Sequence, residues 1–234
     1  MSGNNKFAFF DVDETLVFEK TMFSILNKLS FHFNELDAAS LLKQLRDMRL
    51  QNIPREEVNR YFYRSLAGLK QIEVRKIAKD YINMRLANNG HRPFLIPETV
   101  KALHDLKKNG FEPVFVSGSA IDFLFQLAQA LGVRHVLATA LSTDSKGCYT
   151  GKLSGDCMIG AGKANAVGKF MATHKADPAL CYAFGDHISD ADFISLVGHG
   201  NLVEGSSAAE HLAVERGWTI IPLQNPLKAM GATL

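Results

Sequence analysis

The stretch Phe7-Ala8-Phe9-Phe10-Asp11-Val12-Asp13-Glu14-Thr15-Leu16-Val17 joins a short apolar run to two aspartates spaced two apart. The run is aromatic-rich and bounded by acids, so it reads as a buried strand rather than a helix. Asp11 and Asp13 then sit at its carboxyl end, where ligands bind in an open α/β sheet. Two carboxylates at i and i+2 on a strand point to one face. If the chain turns just after Asp11, both still converge on one centre, with the carbonyl of Val12 or Asp13 nearby. Two acids plus a carbonyl suit a hard cation such as Mg²⁺, and an aspartate also serves as a nucleophile that carries a phosphoryl group. The competing reading is a strand that ends in an ordinary polar turn.

The size and composition of the chain frame what this strand can belong to. With 234 residues, 47% of them hydrophobic, the chain is long enough for one large domain or a core plus an insert. A net charge of +2 gives no strong pull toward nucleic acid. No apolar run approaches the ~18 residues of a membrane span. Met1 to Lys6 lead straight into the first strand with no signal-peptide pattern. The cysteines, Cys148, Cys157 and Cys181, are odd in number and fit no zinc spacing, so they read as reduced thiols of a cytoplasmic protein.

Residues 18–92 read as all-helical. Helical spacing covers Lys20–Phe33, Asp37–Leu50, Pro54–Gly68 and Gln71–Asn88, with Pro54 suited to a first turn and Asn89-Gly90 to a stop. Phe31, Phe33, Tyr61, Phe62 and Tyr63 read as core of this block. The pattern then alternates. Helices are expected at Pro97–Asn109, Ala120–Leu131, Gly162–His174, Ser189–Val197 and Ser207–Arg216. Strands are expected at Phe111–Val116, His135–Thr139, Leu180–Phe184 (with Cys181 in the core), Asn201–Val203 and Trp218–Ile221. Leu141–Leu153 reads as a hairpin outside the main sheet. Strand–helix alternation means a Rossmann-like parallel sheet with helices on both faces. The expected organisation is thus an α/β core from 1–17 and 93–234, split by an all-helical cap domain at 18–92.

Three further groups fall on strand ends. Ser117-Gly118-Ser119 offers small residues, a hydroxyl and a following helix start, a plausible phosphate cradle and equally ordinary loop chemistry. Lys163 opens a helix, where a cation opposes the dipole, so it has either another task or a solvated one. Gly185-Asp186-His187-Ile188-Ser189-Asp190 delivers two more acids: Asp186 to complete a Mg²⁺ shell, Asp190 to hold a metal water, to hold Lys163 or to cap a helix. Four acids gathered without a cation would repel, so a divalent ion is implied.

The set Asp11-Val-Asp13-x-Thr15, Ser117-Gly118, Lys163 and Gly185-Asp186-x-x-x-Asp190 resembles the haloacid dehalogenase superfamily, in the order and spacing of its phosphatase members. The helical insert, and the ending Gly200-Asn-Leu-Val with Gly217-Trp218, resemble the phosphoserine-phosphatase-like branch. The resemblance implies Asp11 as nucleophile and Asp13 as general acid/base, with Thr15 orienting Asp13. It implies Ser117, Gly118 and Lys163 as phosphate-binding groups. It assigns Mg²⁺ to Asp11, the Asp13 carbonyl and Asp186, with Asp190 supporting. The substrate it implies is a small phosphorylated metabolite.

Several positions depart from that pattern. Lys20, with Glu19 beside it, stands where phosphoserine phosphatases place a glutamate for the substrate ammonium. Arg60 is a candidate for the arginine that meets a substrate carboxylate. His187 stands where a small residue is usual, and Ser189 where an asparagine is. Residues 38–92 carry 12 Lys and Arg against 5 Asp and Glu, while the rest of the chain carries 14 against 19. A basic lid over an acidic floor favours an anionic substrate, unless these cations are simply solvated helix faces. The expected activity is a Mg²⁺-dependent phosphomonoester hydrolase. The alternatives are a phosphoserine phosphatase proper, a phosphotransferase and a catalytically silent binding module. The oligomeric state is not legible.

Overall fold

Phe7–Phe10 is strand β1 of a six-stranded parallel sheet in the computed structural model, which describes residues 6–87 and 93–224. Four helices follow: α1 (Thr21–Ser30), α2 (Ala38–Leu50), α3 (Arg55–Arg64) and α4 (Gln71–Ala87). Then come α5 (Pro97–Lys108), β2 (Glu112–Ala120), α6 (Ile121–Ala130) and β3 (His135–Thr139). A two-stranded antiparallel hairpin, β4 (Leu141–Thr143) and β5 (Tyr149–Leu153), stands apart from the main sheet. The chain closes with α7 (Ala161–His174), β6 (Tyr182–Gly185), α8 (Ala191–Ile194), β7 (His199–Val203), α9 (Ser207–Arg216) and β8 (Thr219–Ile221).

Strand order is β3-β2-β1-β6-β7-β8. The chain therefore runs outward on one side of β1 and returns to build the other side. The order reverses at β1, which opens a crevice at the carboxyl ends of β1, β2 and β6. Alternation along β1 fixes both faces. Ala8 and Phe10 join one apolar cluster, and Phe7 and Phe9 the other. Phe10 stacks on Phe184 of β6 at 4.3 Å between ring centroids, and Phe9 meets Phe170 of α7 edge-on at 5.9 Å. Each fully buried phenylalanine contributes about 1.5–3 kcal/mol relative to exposure. The β1 register is thus strongly specified, and with it the place of Asp11.

The first cluster runs without a break from the sheet into α1–α4 through Ile25, Leu26, Phe62, Tyr63, Val74 and Ile82. Polar contacts fasten the same helices. Gly68 N–H donates to the Tyr149 carbonyl (2.8 Å), Tyr149 N–H to that of Leu69 (2.9 Å) and Gln71 N–H to that of Gly147 (3.0 Å). The hairpin therefore clasps the α3–α4 turn. Buried Asp122, in the first turn of α6, accepts from Arg75 (2.6 Å), Gln71 (3.1 Å) and Tyr149 (2.6 Å).

Some expected elements are corrected. Phe31 is 81% exposed at the end of α1, because the helix stops one residue earlier and turns it outward. Phe62 and Tyr63 are core as expected. β2 continues through Ala120 rather than ending at Val116. Before β6 the segment Pro178–Leu180 is a 3₁₀ turn capped by Asp177, so Cys181 lies just ahead of the strand, still buried. The helix expected at 189–197 is a 3₁₀ turn (Ile188–Asp190) followed by the four residues of α8. A capping box between His187 and Asp190 sets that tight entry. The helix stop at Asn89-Gly90 and the end of the cap at residue 92 lie outside the described residues. None of the described helices is long and apolar enough to cross a membrane.

Candidate active site

Asp11 follows β1 directly, and its N–H extends the β1–β6 pairing by donating to the Phe184 carbonyl at 2.9 Å. The chain then turns tightly. The Val12 carbonyl accepts from Leu16 (2.8 Å) and Val17 (3.1 Å), with Glu14 in the left-handed region at φ 61°. This turn buries the Asp11 carboxylate beneath α7.

Lys163, in the first turn of α7, donates to Asp11 Oδ1 and Asp190 Oδ1, each at 2.7 Å. A Cβ on Gly162 would lie 1.8 Å from the Cys157 carbonyl oxygen, so glycine is required for the chain to reach this position. Lys163 is only 5% exposed. Burial works against its charge, but the two carboxylates outweigh it and hold the ammonium protonated well above the usual lysine range. Burial pushes the Asp11 carboxyl up to about 7, helped by the charges of Asp190 and Asp13 and opposed by Lys163. Asp186 is likewise raised well above the usual carboxyl range, first by burial and then by Asp11 and Asp190. The Thr15 hydroxyl bonds to Asp186 (3.1 Å) and more weakly to Asp11 Oδ2 (3.4 Å).

Asp11, Asp186 and Asp190 each offer an oxygen within 4.8 Å of the other two. Three carboxylate oxygen donors, those of Asp11 and Asp190 buried and that of Asp186 half-buried, fit a hard divalent cation, whose charge would relieve their repulsion.

The carboxylate of Asp13 turns away from this cluster. It accepts from Ser119 Oγ (2.6 Å), Thr21 N–H (2.9 Å) and Thr21 Oγ1 (2.7 Å). Thr15 therefore does not orient Asp13 as expected; Thr21, at the start of α1, and Ser119 do. Burial raises the Asp13 carboxyl pKa, and the three donors only partly offset it.

Ser117 is buried beside the site, and its Oγ accepts the Ser119 N–H at 3.1 Å. That leaves the hydroxyl proton free to donate to an incoming oxygen. The Gly118 carbonyl receives three donors: Asn59 Nδ2 (3.2 Å), Tyr63 OH (2.9 Å) and Thr139 Oγ1 (2.9 Å). Sequence reasoning missed Thr21, Asn59, Tyr63, Ser119 and Thr139. The only available signal was that four of them are hydroxyl residues in apolar surroundings.

The expected specificity residues divide. Lys20 pairs with Glu14 at 2.7 Å, and Glu19 accepts from Tyr81 at 2.6 Å. Arg60 has its side chain 40% exposed and faces Glu57 at 3.7 Å. Arg55 instead reaches the site loop, donating to His187 Nδ1 and to Ser189 Oγ (3.3 Å). The His187 ring nitrogen also accepts the Ser189 N–H at 3.0 Å. Burial lowers the His187 pKa to about 4, and the charges of Arg55, Arg49 and Lys20 add to the effect.

A buried acid–lysine cluster thus sits at the switch point of an open parallel sheet, where such sheets bind ligands. The model for haloacid dehalogenase-like hydrolases matches residues 8–195, and the chain belongs to that family. It is 26% identical over 226 residues to a probable phosphatase of Mycobacterium tuberculosis, covering 94% of this chain and 76% of that protein. Identity is also 26% over 226 residues to a phosphoserine phosphatase of the same organism, covering 91% of this chain and 69% of that protein. Among solved structures, a Bordetella pertussis Tohama I protein of unknown function superposes with a TM-score of 0.81 at 21% identity, covering 92% and 97% of the two chains. A phospho-aspartyl intermediate analogue of phosphoserine phosphatase gives 0.65 at 18% identity, covering 94% and 93%. Both structural likenesses concern the fold.

Proposed function

We propose that this chain is a Mg²⁺-dependent phosphomonoesterase that works through a phosphoryl group carried on Asp11, with a small anionic metabolite as substrate. The observation that carries the reading is the division of labour between the two acids. Asp11 is clamped by Lys163 through Oδ1, which leaves Oδ2 as the attacking oxygen. Asp13 is held separately by Thr21 and Ser119, in surroundings that favour its protonated form.

Asp11 Oδ2 forms a bond to phosphorus as the bond to the leaving oxygen breaks, and Asp13 gives that oxygen its proton. Asp13 then takes a proton from water, the resulting hydroxide bonds to phosphorus, and Asp11 leaves as carboxylate. Ser117 and Lys163 bind the phosphoryl oxygens, with the Gly118 backbone alongside. Asp11, Asp186 and the Asp13 carbonyl, with Asp190 supporting, would hold a divalent cation, which when bound would supply positive charge against those oxygens. In this reading 18–92 is a cap over a core formed by 1–17 and 93–234. The three free cysteines accord with a reducing, cytoplasmic setting.

Hydrolysis of p-nitrophenyl phosphate with and without Mg²⁺ tests the proposal. Metal-dependent release of nitrophenol is expected, and its absence would overturn the enzymatic reading. Product analysis with added alcohols separates hydrolysis from transfer to an acceptor.

A further inference from the structure

Asn59 of α3 and Cys157, which stands ahead of α7, meet in the interior, each only 4% exposed. Asn59 Nδ2 donates to the Gly118 carbonyl at 3.2 Å, and the Cys157 thiol donates to Asn59 Oδ1 at 3.4 Å. A carbonyl only accepts, so the amide nitrogen must face Gly118 and the amide oxygen is left to the thiol. Burial pushes the Cys157 thiol up to about 11, so it keeps its proton to donate at neutral pH. The backbone around Cys157 also touches both parts of the phosphate site. Its carbonyl oxygen fills the space in which Gly162, next to Lys163, would carry a Cβ. A Cβ on Gly118 would lie 3.3 Å from the Met158 carbonyl oxygen.

The Gly118 carbonyl and the Ser119 N–H are the two ends of one planar trans peptide, so they point in opposite directions. On one side the carbonyl receives Asn59, together with Tyr63 and Thr139 at 2.9 Å each. On the other side the N–H donates to Ser117 Oγ at 3.1 Å. Donors on the carbonyl polarise the peptide and strengthen the bond its N–H gives. That N–H occupies a lone pair of the Ser117 oxygen and so fixes the direction left for the hydroxyl proton. Asn59 adds to this a link through Cys157 to the start of α7, where Lys163 stands.

We propose that Asn59 and Cys157 are positioning residues for phosphoryl binding: through the Gly118–Ser119 peptide they aim the Ser117 hydroxyl, and they tie that aim to the segment that presents Lys163. The relay rests on the phosphomonoesterase reading, in which Ser117 and Lys163 grip the phosphoryl oxygens. The helical block thereby contributes to phosphate affinity through a side chain that need not touch the phosphate.

The test is a double-mutant cycle, read in kcat/KM for p-nitrophenyl phosphate and in the affinity for inorganic phosphate titrated calorimetrically with Mg²⁺ present. Asn59→Leu keeps the size of the side chain and removes both polar contacts. It should lower kcat/KM and weaken phosphate by about tenfold, as for a misdirected hydrogen bond to a charged acceptor. In a Ser117→Ala background the same substitution should cost less than about twofold, because the hydroxyl it aims is gone. Cys157→Ala should weaken phosphate by about two- to tenfold, and Cys157→Ser, which keeps a donor, should recover most of that loss. A role confined to packing would cost the same in both backgrounds. Equal losses with and without the Ser117 hydroxyl, no loss in Asn59→Leu, or a serine variant no better than alanine at 157 overturns the relay and leaves the phosphomonoesterase standing. If Asn59→Leu does not fold, the Cys157 pair on the two backgrounds decides by the same criterion. No hydrolysis of p-nitrophenyl phosphate by the wild type overturns the phosphomonoesterase and the relay together.

Discussion

Chelating divalent cations should make the stability of this protein depend on pH in a direction the acid cluster dictates. Asp11 has an ordinary carboxyl value of 3.8 and is pushed up to about 7 in the fold, chiefly by burial. Between these values the folded chain keeps a proton that the unfolded chain has lost. The slope of stability with pH follows the protons bound by the unfolded state minus those bound by the folded state, and here it is negative. The metal-free protein should therefore lose stability as pH rises from about 4 to about 7, and Asp186, also raised, adds to the effect. A cation at the cluster needs the ionised acids, so its stabilisation should grow over the same window. Mg²⁺ at about 100 times its dissociation constant adds about 2.7 kcal/mol. A chain of this size shifts by about 2–4 °C per kcal/mol, so Tm should rise by about 5–11 °C at about pH 8 and much less at about pH 5. The assay is thermal unfolding in EDTA against MgCl₂, in wild type and in Asp186→Asn. A Mg²⁺-induced shift of equal size at both pH values, or one undiminished in Asp186→Asn, would refute the assignment of these carboxylates.

Other perturbations probe separate parts of the structure. Asp11→Asn should reduce p-nitrophenyl phosphate turnover by at least about 10³-fold, and it should keep or raise Tm at neutral pH because it removes a buried acid. Asp122→Ala strands the Tyr149 and Gln71 donors and should cost about 2–4 kcal/mol in urea unfolding; a change under about 0.5 kcal/mol would show that the clasp on α4 is slack. A Cβ on Gly200 would lie 2.4 Å from Trp218 Cδ1, so Gly200→Ala should destabilise by about 1–3 kcal/mol. It should also shift the emission of Trp218, the single tryptophan of the chain.

What was legible in the sequence was what backbone periodicity controls. Apolar runs that end on Asp11 and Asp186 name strand ends, the run that ends on Ser117 stops short of the end of β2 at Ala120, and parallel strands bring their carboxyl ends to one edge whatever the loops do. Lys163 stood out because a cation at a helix start is unfavourable unless something holds it, and Asp11 and Asp190 do. Side-chain direction beyond those ends was not legible. Asp13 parts from Asp11 because the turn passes through a left-handed Glu14, and glutamate gives no glycine-like signal for that conformation. Thr15 and Thr21 are equally good partners for Asp13 on paper; only the start of α1 at Thr21 decides between them. Arg55 and Arg60 differ by little more than one helical turn, and the start of α3 immediately after Pro54 puts the first over the site and the second toward Glu57. The helix expected at 189–197 shrinks to 191–194 behind a 3₁₀ turn, and its histidine–aspartate capping box is an unusual pair that gives little signal in the sequence.

Helix α3 ties these results together. Arg55, Asn59 and Tyr63 recur at i, i+4 and i+8, so they form one stripe along the helix. The stripe reaches two loops of the site: Arg55 meets His187 and Ser189 beside Asp186, while Asn59 and Tyr63 meet the Gly118 carbonyl beside Ser117. Arg55 and Tyr63 are about 12 Å apart along the helix axis. Substitutions at that separation with no shared partner normally add to within about 0.5 kcal/mol. If α3 seats on the core as one body, loosening either end moves both loops, and Arg55→Gln with Tyr63→Phe should deviate from additivity by more than that in kcat/KM for p-nitrophenyl phosphate. Additive losses would mean that the two loops are set independently, with Thr139 and the strands carrying the phosphate cradle and α3 serving only as a platform for Arg55.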